Sequence, residues 1–353
     1  MAENLKSDEE FMIKPEFRVN SHGIRIVSLL MAIVIISGSF FLWQGIYLPK
    51  DSHLQTQKIF LIEKGQSVKE IAKNLEKENL IKDDFYFILY LWSRGEVKKL
   101  QSGFYKLSPA MSIREIAKKL AKGEVIKIEV VIPEGFKIDK IEEEIVEKGL
   151  DVKSKIKNQK SKFYKEEFEF LRDIPDEMDI EGYLFPDTYQ IVYGSKIEEI
   201  VRAMLKNFDK KLTLDLREEI KQQKKTIFEI ITMASMIEKE VRTKEDKELV
   251  SGILWKRLKQ GIPLQVDATI AYITGEQTSK ISKTDTQIDS LYNTYKYRGL
   301  PLGPISNPGL ESILAAIYPK SSEYWYYLST PDGTTIFSRT LEEHNVAKAK
   351  YLK

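Results

Sequence analysis

The stretch TIFEIITMASMIEKEV, Thr226–Val241, carries the most structural information in the chain. At 100° per residue, Ile227, Ile230, Ile231, Ala234, Ile237 and Val241 form one apolar stripe, the pattern of a helix packed on a core. Glu238 falls inside that stripe, and Glu240 sits at its margin beside Met233 and Met236. Two carboxylates therefore leave the solvated face. Burial against apolar side chains disfavours an ionised carboxyl and raises its pKa towards the value a general acid needs near neutral pH. The plainer role for either acid is an ion pair with Lys or Arg at a domain seam, because such networks also perturb pKa.

Around this helix the pattern is α+β. Residues Lys196–Leu212 space Ile197, Ile200, Val201, Met204 and Leu205 for burial, and Lys244–Gln260 place Leu249, Ile253, Leu254 and Leu258 on one face before Gly261 and Pro263 stop the helix. Further on come a helix at Leu310–Tyr318, strands at Tyr324–Ser329 and Thr335–Ser338 around the turn Pro331-Asp332-Gly333, and a final helix. Upstream, a strand, a Gly turn and a helix run from Lys58 to Leu75. The turn and helix recur at Tyr105–Leu120, and strand, Pro-Gly turn and helix recur at Lys127–Ile145. Ser67, Ser112 and Asp139 stand where helix caps belong. We read residues 58–124 as one small α/β module and 127–353 as a mixed α+β domain. The first repeat resembles a LysM-like module, a small fold that many extracytoplasmic proteins use to bind N-acetylglucosamine-containing glycans. Between Asp151 and Phe170 the chain is Lys-rich and reads as a solvated amphipathic helix, or as a basic strip facing anionic polymer or lipid.

Residues 26–48, IVSLLMAIVIISGSFFLWQGIYL, contain no charge and are long enough to cross a bilayer as a helix. Trp43 and Tyr47 near the far end suit the membrane–water interface. Ser37-Gly38-Ser39 resembles a signal-peptide cleavage site, but the length of the run and the acids before it favour an uncleaved signal-anchor. Lys14, Arg18 and Arg25 precede the span, and Lys50 and Lys58 follow it. We expect a cytoplasmic tail over 1–25, a single transmembrane helix over 26–48, a short polar linker over 51–58, and the remainder outside the cytoplasmic membrane.

At 353 residues the chain exceeds one typical domain. A formal net charge of +2 gives no reason to expect nucleic acid as a partner. With no cysteine, disulfides, thiol nucleophiles and Cys-ligated metal sites are excluded, and three histidines (His22, His53, His344) give little basis for a multi-His metal site. The chemistry falls to carboxylates, hydroxyls, amides, Lys or Arg, with no cofactor or metal expected.

Aromatics interleaved with short polar side chains recur at Tyr183, Phe185, Asp187 and Tyr189, and again at Tyr292, Asn293, Tyr295 and Tyr297. Such faces stack on sugar rings while Asn and Asp bond hydroxyl and acetamido groups, although either set alone also suits a core and a turn. The ordered set EGYLFPDTY (181–189), ASMIEKE (234–240), LQVDATI (264–270), YNTY (292–295), GLPLGPISNPG (299–309) and HN (344–345) resembles the YceG-like, or MltG-type, endolytic murein transglycosylases. The likeness covers nearly the whole chain.

The resemblance implies a membrane-anchored lyase that cuts nascent peptidoglycan strands at the β-1,4 bond between N-acetylmuramic acid and N-acetylglucosamine, leaving a 1,6-anhydro end. Its implied partners are glycan strands, the membrane and peptidoglycan synthases. One Glu suffices for this reaction, first as acid to the glycosidic oxygen and then as base to the muramyl C6 hydroxyl. A hydrolase instead needs two placed carboxylates. The frame Ser235-Met236-Ile237-Glu238-Lys239 before Glu240 favours Glu240 as the catalytic acid, with Glu238 second. Val241 stands where many relatives carry a small or hydroxyl residue. Gln265, Asp267, Asn293, Tyr295 and Asn307 are the candidates for holding substrate, and Asp187 for ordering the cleft; each also suits turn capping. Two alternatives stay open. One is a hydrolase using Glu240 with Asp267 or Asp187, and the other is a non-catalytic glycan-binding scaffold.

Overall fold

The computed structural model describes residues 21–150, 155–275 and 281–351. The tail expected to be cytoplasmic lies outside the described residues as far as residue 20. The chain forms two compact units, Met1–Ile126 and Lys127–Lys353.

The first unit opens with α1 (Ser21–Tyr47), which begins five residues before the uncharged run and takes in Arg25. Within it Ile24–Tyr47 is long and apolar enough to cross a membrane, its most apolar 18-residue window having a mean hydropathy of 2.4. Next, β1 (Lys58–Ile62) pairs antiparallel with β2 (Gly103–Leu107), Phe60 opposite Tyr105. Helices α2 (Val68–Lys77), α3 (Asp84–Arg94) and α4 (Ile113–Ala121) complete the unit. Ser67 with Glu70 and Ser112 with Glu115 form capping boxes that start α2 and α4. Phe60, Ile71, Leu75, Phe87, Tyr105 and Ile116 meet in one core. The expected linker is fastened down: Lys50 Nζ donates to Asn79 Oδ1 (2.9 Å), Asp51 N to Pro109 O (3.1 Å), and Ser108 Oγ to Leu54 O (3.1 Å).

In the second unit β3 (Lys127–Val131) pairs antiparallel with β4 (Thr188–Val192), and α5 (Ile138–Glu147) follows β3. Asp139 lies in the first turn of α5 and Lys137 takes the cap position, so the expected Asp cap is displaced by two residues. Helices α6 (Ile197–Lys211), α7 (Leu214–Gln222), α8 (Ile227–Glu240), α9 (Lys244–Lys259), α10 (Asp267–Thr274) and α11 (Leu310–Ile317) precede the antiparallel pair β5 (Tyr326–Ser329) and β6 (Thr335–Ser338). The last helix is α12 (Leu341–Tyr351).

α8 is the axis of this unit. Thr226 and Glu229 form a capping box at its start. From Ile230 to Ile237 every residue is buried, so the amphipathic stripe expected there is a helix enclosed on all sides. Helices α7, α9, α10 and α11 pack against it. Of its buried polar side chains Ser235 is bonded on both sides: Ser235 Oγ donates to Thr232 O (2.8 Å) and accepts from Ile305 N (3.0 Å), and Ser306 Oγ donates to Ser235 O (3.1 Å). The Gly/Pro loop 299–309 is thereby held along the helix. At Gly182, with φ of 92°, a side chain would strike Pro304 and Ile231.

The Lys-rich stretch corrects expectation. Its described part is a chain of short 3-10 turns with Ile156, Tyr164, Phe168, Phe170 and Leu171 buried. The lysines face outward, where Lys162 pairs with Glu177 and Lys165 with Asp176, both at 2.6 Å. Aromatic burial at irregular spacing overrides the helical pattern. Residues 151–154 fall outside the described residues.

Candidate active site

The site is built at the C-terminal end of α8, where the axis helix leaves the core. Glu240 is its last residue and is partly buried. One carboxyl oxygen accepts from Ala268 N in the first turn of α10 (3.3 Å), and the Tyr327 hydroxyl of β5 donates to the same carboxyl. Ser329 Oγ donates to the Glu240 carbonyl (2.9 Å), so β5 is tied to this turn. Burial, and then the charge of Asp267, push the Glu240 pKa up to about 7, against the lowering pull of the Ala268 and Tyr327 donors. The negative end of the α8 dipole acts in the same upward direction. A carboxyl balanced at that value both gives and accepts a proton near neutral pH.

Asp267 is exposed and accepts from the Tyr295 hydroxyl. Burial first, and Asp267 next, hold the Tyr295 pKa far above its usual value. Gln265 lies beside them in the left-handed region, with φ of 56°. That conformation costs a non-glycine residue about 1–2 kcal/mol and persists only where contacts impose it. Gln265 N donates to Thr294 O (3.1 Å), and the guanidinium of Arg257 in α9 donates to Gln265 Oε1 (2.8 Å) and to Pro263 O (2.7 Å). With its oxygen turned to Arg257, the Gln265 amide presents its NH₂ donor away from it.

The two loops carrying these groups are zipped together beneath the site. Thr294 Oγ1 accepts from Val266 N (3.0 Å) and lies 3.0 Å from Thr269 Oγ1. Asn293 is fully buried. Its Nδ2 donates to Thr286 O (3.1 Å) and Ile288 O (2.8 Å), and its Oδ1 accepts from Tyr295 N (3.0 Å). Glu240, Gln265, Asp267 and Tyr295 are thus brought together, with Asn293 below them.

The other expected residues lie elsewhere. Glu238 is two residues, or 200°, around α8 from Glu240, and its side chain is 9% exposed. Ser312 Oγ (2.6 Å) and Gly309 N (3.0 Å) donate to it, and Lys247 Nζ, itself 4% exposed, stands 3.5 Å away. Glu238 therefore fastens α11 and the end of loop 299–309 to α8. Asn307 is fully buried, donating to Glu181 Oε1 (2.7 Å) and Phe136 O (2.9 Å) and accepting from Leu184 N (2.9 Å). Every polar atom of its amide is engaged inside the protein. Asp187 sits at the start of β4, where the Asn207 amide (2.9 Å) and Thr188 N hold its pKa below the usual range.

Three groups went unanticipated from sequence. Tyr327 is one of many aromatics, and nothing in WYYLS marks it. Arg257 sits in a helix otherwise read for its apolar face. Glu181, at 6% exposure, accepts from Ile138 N (3.1 Å) and Asn307; burial, with Asp179 adding to it, raises its pKa to about 8. His344 stacks on Tyr326 at 5.2 Å, and burial lowers its pKa to about 4, so it supports β5 as a neutral ring.

The chain matches the YceG-like family over residues 60–350. It is 33% identical over 334 residues to an endolytic murein transglycosylase of Bacillus subtilis (strain 168), covering 90% of this chain and 91% of the relative. An endolytic murein transglycosylase of Streptococcus pneumoniae (strain R6) is 32% identical, over 92% of this chain and 64% of its own length. A solved YceG-like protein from Listeria monocytogenes superposes with a TM-score of 0.57 at 34% identity, over 83% of this chain and 99% of that one. With the Glu240 cluster in place and this agreement along almost its full length, the chain belongs to the YceG-like family.

Proposed function

We propose that this protein is a membrane-anchored endolytic lytic transglycosylase that cuts peptidoglycan strands at the bond between N-acetylmuramic acid and N-acetylglucosamine. The single observation that carries the reading is the Glu240 carboxyl, held near neutrality by burial beside Asp267, with the Tyr327 hydroxyl and Ala268 N–H directed at it. Glu240 protonates the glycosidic oxygen as its bond to the muramyl C1 breaks, and the N-acetylglucosamine side leaves with that proton as a free 4-hydroxyl. The carboxylate so formed then takes the proton of the muramyl C6 hydroxyl as that oxygen closes on C1, giving a 1,6-anhydro end. Tyr327 steadies the carboxylate between the two transfers, and Asp267 keeps the resting carboxyl protonated. Gln265, Asp267 and Tyr295 supply the sugar contacts, while Asn293 supports them from beneath, Asn307 staples loop 299–309 to Glu181 and Phe136, and Asp187 orders the start of β4.

The family match and the relatives named endolytic murein transglycosylases support a lyase acting on murein. The apolar length of α1 supports a single-pass anchor, with the second unit outside the cytoplasmic membrane. In the first unit a cavity of about 370 Å³ between the β1–α2 and α3–β2 loops, lined by Gln66, Val68, Val97 and Lys98 among others, supports the LysM-like reading of 58–124 as a glycan-holding module.

The test is release of fragments from uncrosslinked glycan strands by the wild type, Glu240→Gln and Glu238→Gln. The proposal expects anhydro-ended fragments from the wild type, a loss of about 10²- to 10⁴-fold in Glu240→Gln, and persistence in Glu238→Gln. Full activity of Glu240→Gln would overturn it.

A further inference from the structure

The outer face of α3 carries Phe85, Leu89 and Trp92 at i, i+4 and i+7, one stripe along the helix. Phe85 is 57% and Trp92 75% exposed, with Leu89 between them half-buried, while Phe87, Tyr90 and Leu91 on the opposite face fill the core. Single exposed apolar residues are ordinary on protein surfaces, whereas an aligned Phe–Leu–Trp stripe calls for a partner.

The position of the stripe identifies that partner. Gly45, in the last turn of α1, lies against the Tyr86 ring so closely that a Cβ would stand 2.8 Å from it. Ile46 packs on the core of the unit, and the Arg114 guanidinium lies 5.9 Å from the Tyr47 ring. With Lys50, Asp51 and Leu54 bonded to the module, no free linker separates α1 from α3. Trp43 and Tyr47, stacked at 6.2 Å and turned outward, mark the interfacial end of the span. Tyr86 meets α1 at Gly45, between Trp43 and Tyr47 along the helix axis but on the opposite face, and Phe85 contacts Tyr86 edge-on at 5.9 Å. The first turn of α3 is therefore held within one helical turn of the interface level. Exposed Lys82 and Arg94 bracket the stripe, where ammonium and guanidinium groups reach lipid phosphates.

We infer that the Phe85–Leu89–Trp92 face of α3 lies in the headgroup region of the bilayer that α1 spans, as a second, peripheral membrane contact that fixes the first unit flat against the membrane. This inference rests on the proposed anchoring by α1. Its consequence is a module unable to swing away from the surface, which confines strand capture to glycan close to the membrane.

The absence of cysteine makes the test direct. The full chain is reconstituted into phosphatidylcholine–phosphatidylglycerol vesicles with a polarity-sensitive fluorophore on one introduced cysteine. The sites are Ser39→Cys in the span, Trp92→Cys or Ser93→Cys on α3 (the latter keeping Trp92), and Lys73→Cys on exposed α2. Labels at 92 and 93 are expected to emit to the blue and to be quenched by bromine-tailed lipid several-fold more than the label at 73. Quenching at 39 with none at 92 and 93 would overturn the inference while leaving the anchor intact, including where those labels are shielded by protein. No quenching at 39 would overturn both.

Discussion

Replacing Tyr327 by Phe removes one hydroxyl and tests how the site sets the protonation of Glu240. The Tyr327 hydroxyl donates to the Glu240 carboxyl and so stabilises its charged form. A hydrogen bond to a charged group contributes about 1.5–3 kcal/mol, and one pKa unit corresponds to about 1.4 kcal/mol. Losing the donor should raise the Glu240 pKa by about one to two units. In the proposed reaction Glu240 starts protonated, so activity in the wild type should fall as pH rises through the value near 7. In Tyr327→Phe that falling limb should move to higher pH, and the maximal rate should drop because the carboxylate formed after the first transfer has lost its donor. The assay is the pH dependence of kcat/KM for release of fragments from uncrosslinked strands, run at matched ionic strength. An unmoved limb, or one displaced to lower pH, would refute the assigned direction of the Tyr327–Glu240 bond.

Other perturbations follow from particular contacts. Glu238→Gln removes the nearest acid from Lys247, whose side chain is 4% exposed. The cost should be about 3 kcal/mol, at the low end for a broken buried pair because another acid remains nearby. That acid is Glu311, 3.9 Å from Lys247; thermal melts should show a Tm lowered by roughly 10 °C, and an unchanged Tm would contradict the clamp. Gly252→Ala should cost about 1–3 kcal/mol in the same melts, because the added Cβ overlaps the Lys320 carbonyl; wild-type stability would show that the α9 contact yields. Glu181 has a folded pKa near 8, so above the unfolded carboxyl range the unfolded chain releases a proton that the folded protein keeps. Stability should fall as pH rises from about 5 to 8, and Glu181→Gln should flatten that slope; parallel Tm–pH curves for the two proteins would refute the assignment.

Much of the architecture can be read in the sequence because it depends on local signals. Ser67 and Ser112 announce their helices through capping boxes, and the 3.6-residue spacing of Ile197, Ile200, Val201, Met204 and Leu205 marks α6 without ambiguity. Helix α3 is less legible, since FYFILYLW has apolar residues on both faces, one packed in the core and one left outside. β4 is hidden in an aromatic run because its partner β3 lies some sixty residues earlier. The site shows the same division. Glu240, Gln265, Asp267 and Tyr295 stand in recognisable motifs, whereas Tyr327 and Arg257 reach them only through long-range packing that no local pattern encodes. Asn293 and Asn307 show the converse case: short polar residues in loops suit sugar binding and backbone stapling equally, and full burial is what places them in the second role here. Glu238 and Glu240 look alike in composition, and only the 200° between them sends one to a lysine clamp and the other to the cleft.

The central claim is that one carboxyl, Glu240, drives an intramolecular ring closure in which no water is consumed. The most direct test is digestion of uncrosslinked glycan strands in water enriched in heavy oxygen, with the new reducing-side ends weighed by mass spectrometry. The account predicts ends lighter by one water than hydrolytic ends and free of the heavy isotope, their yield abolished in Glu240→Gln. Ends that carry heavy oxygen would identify a hydrolase and contradict it.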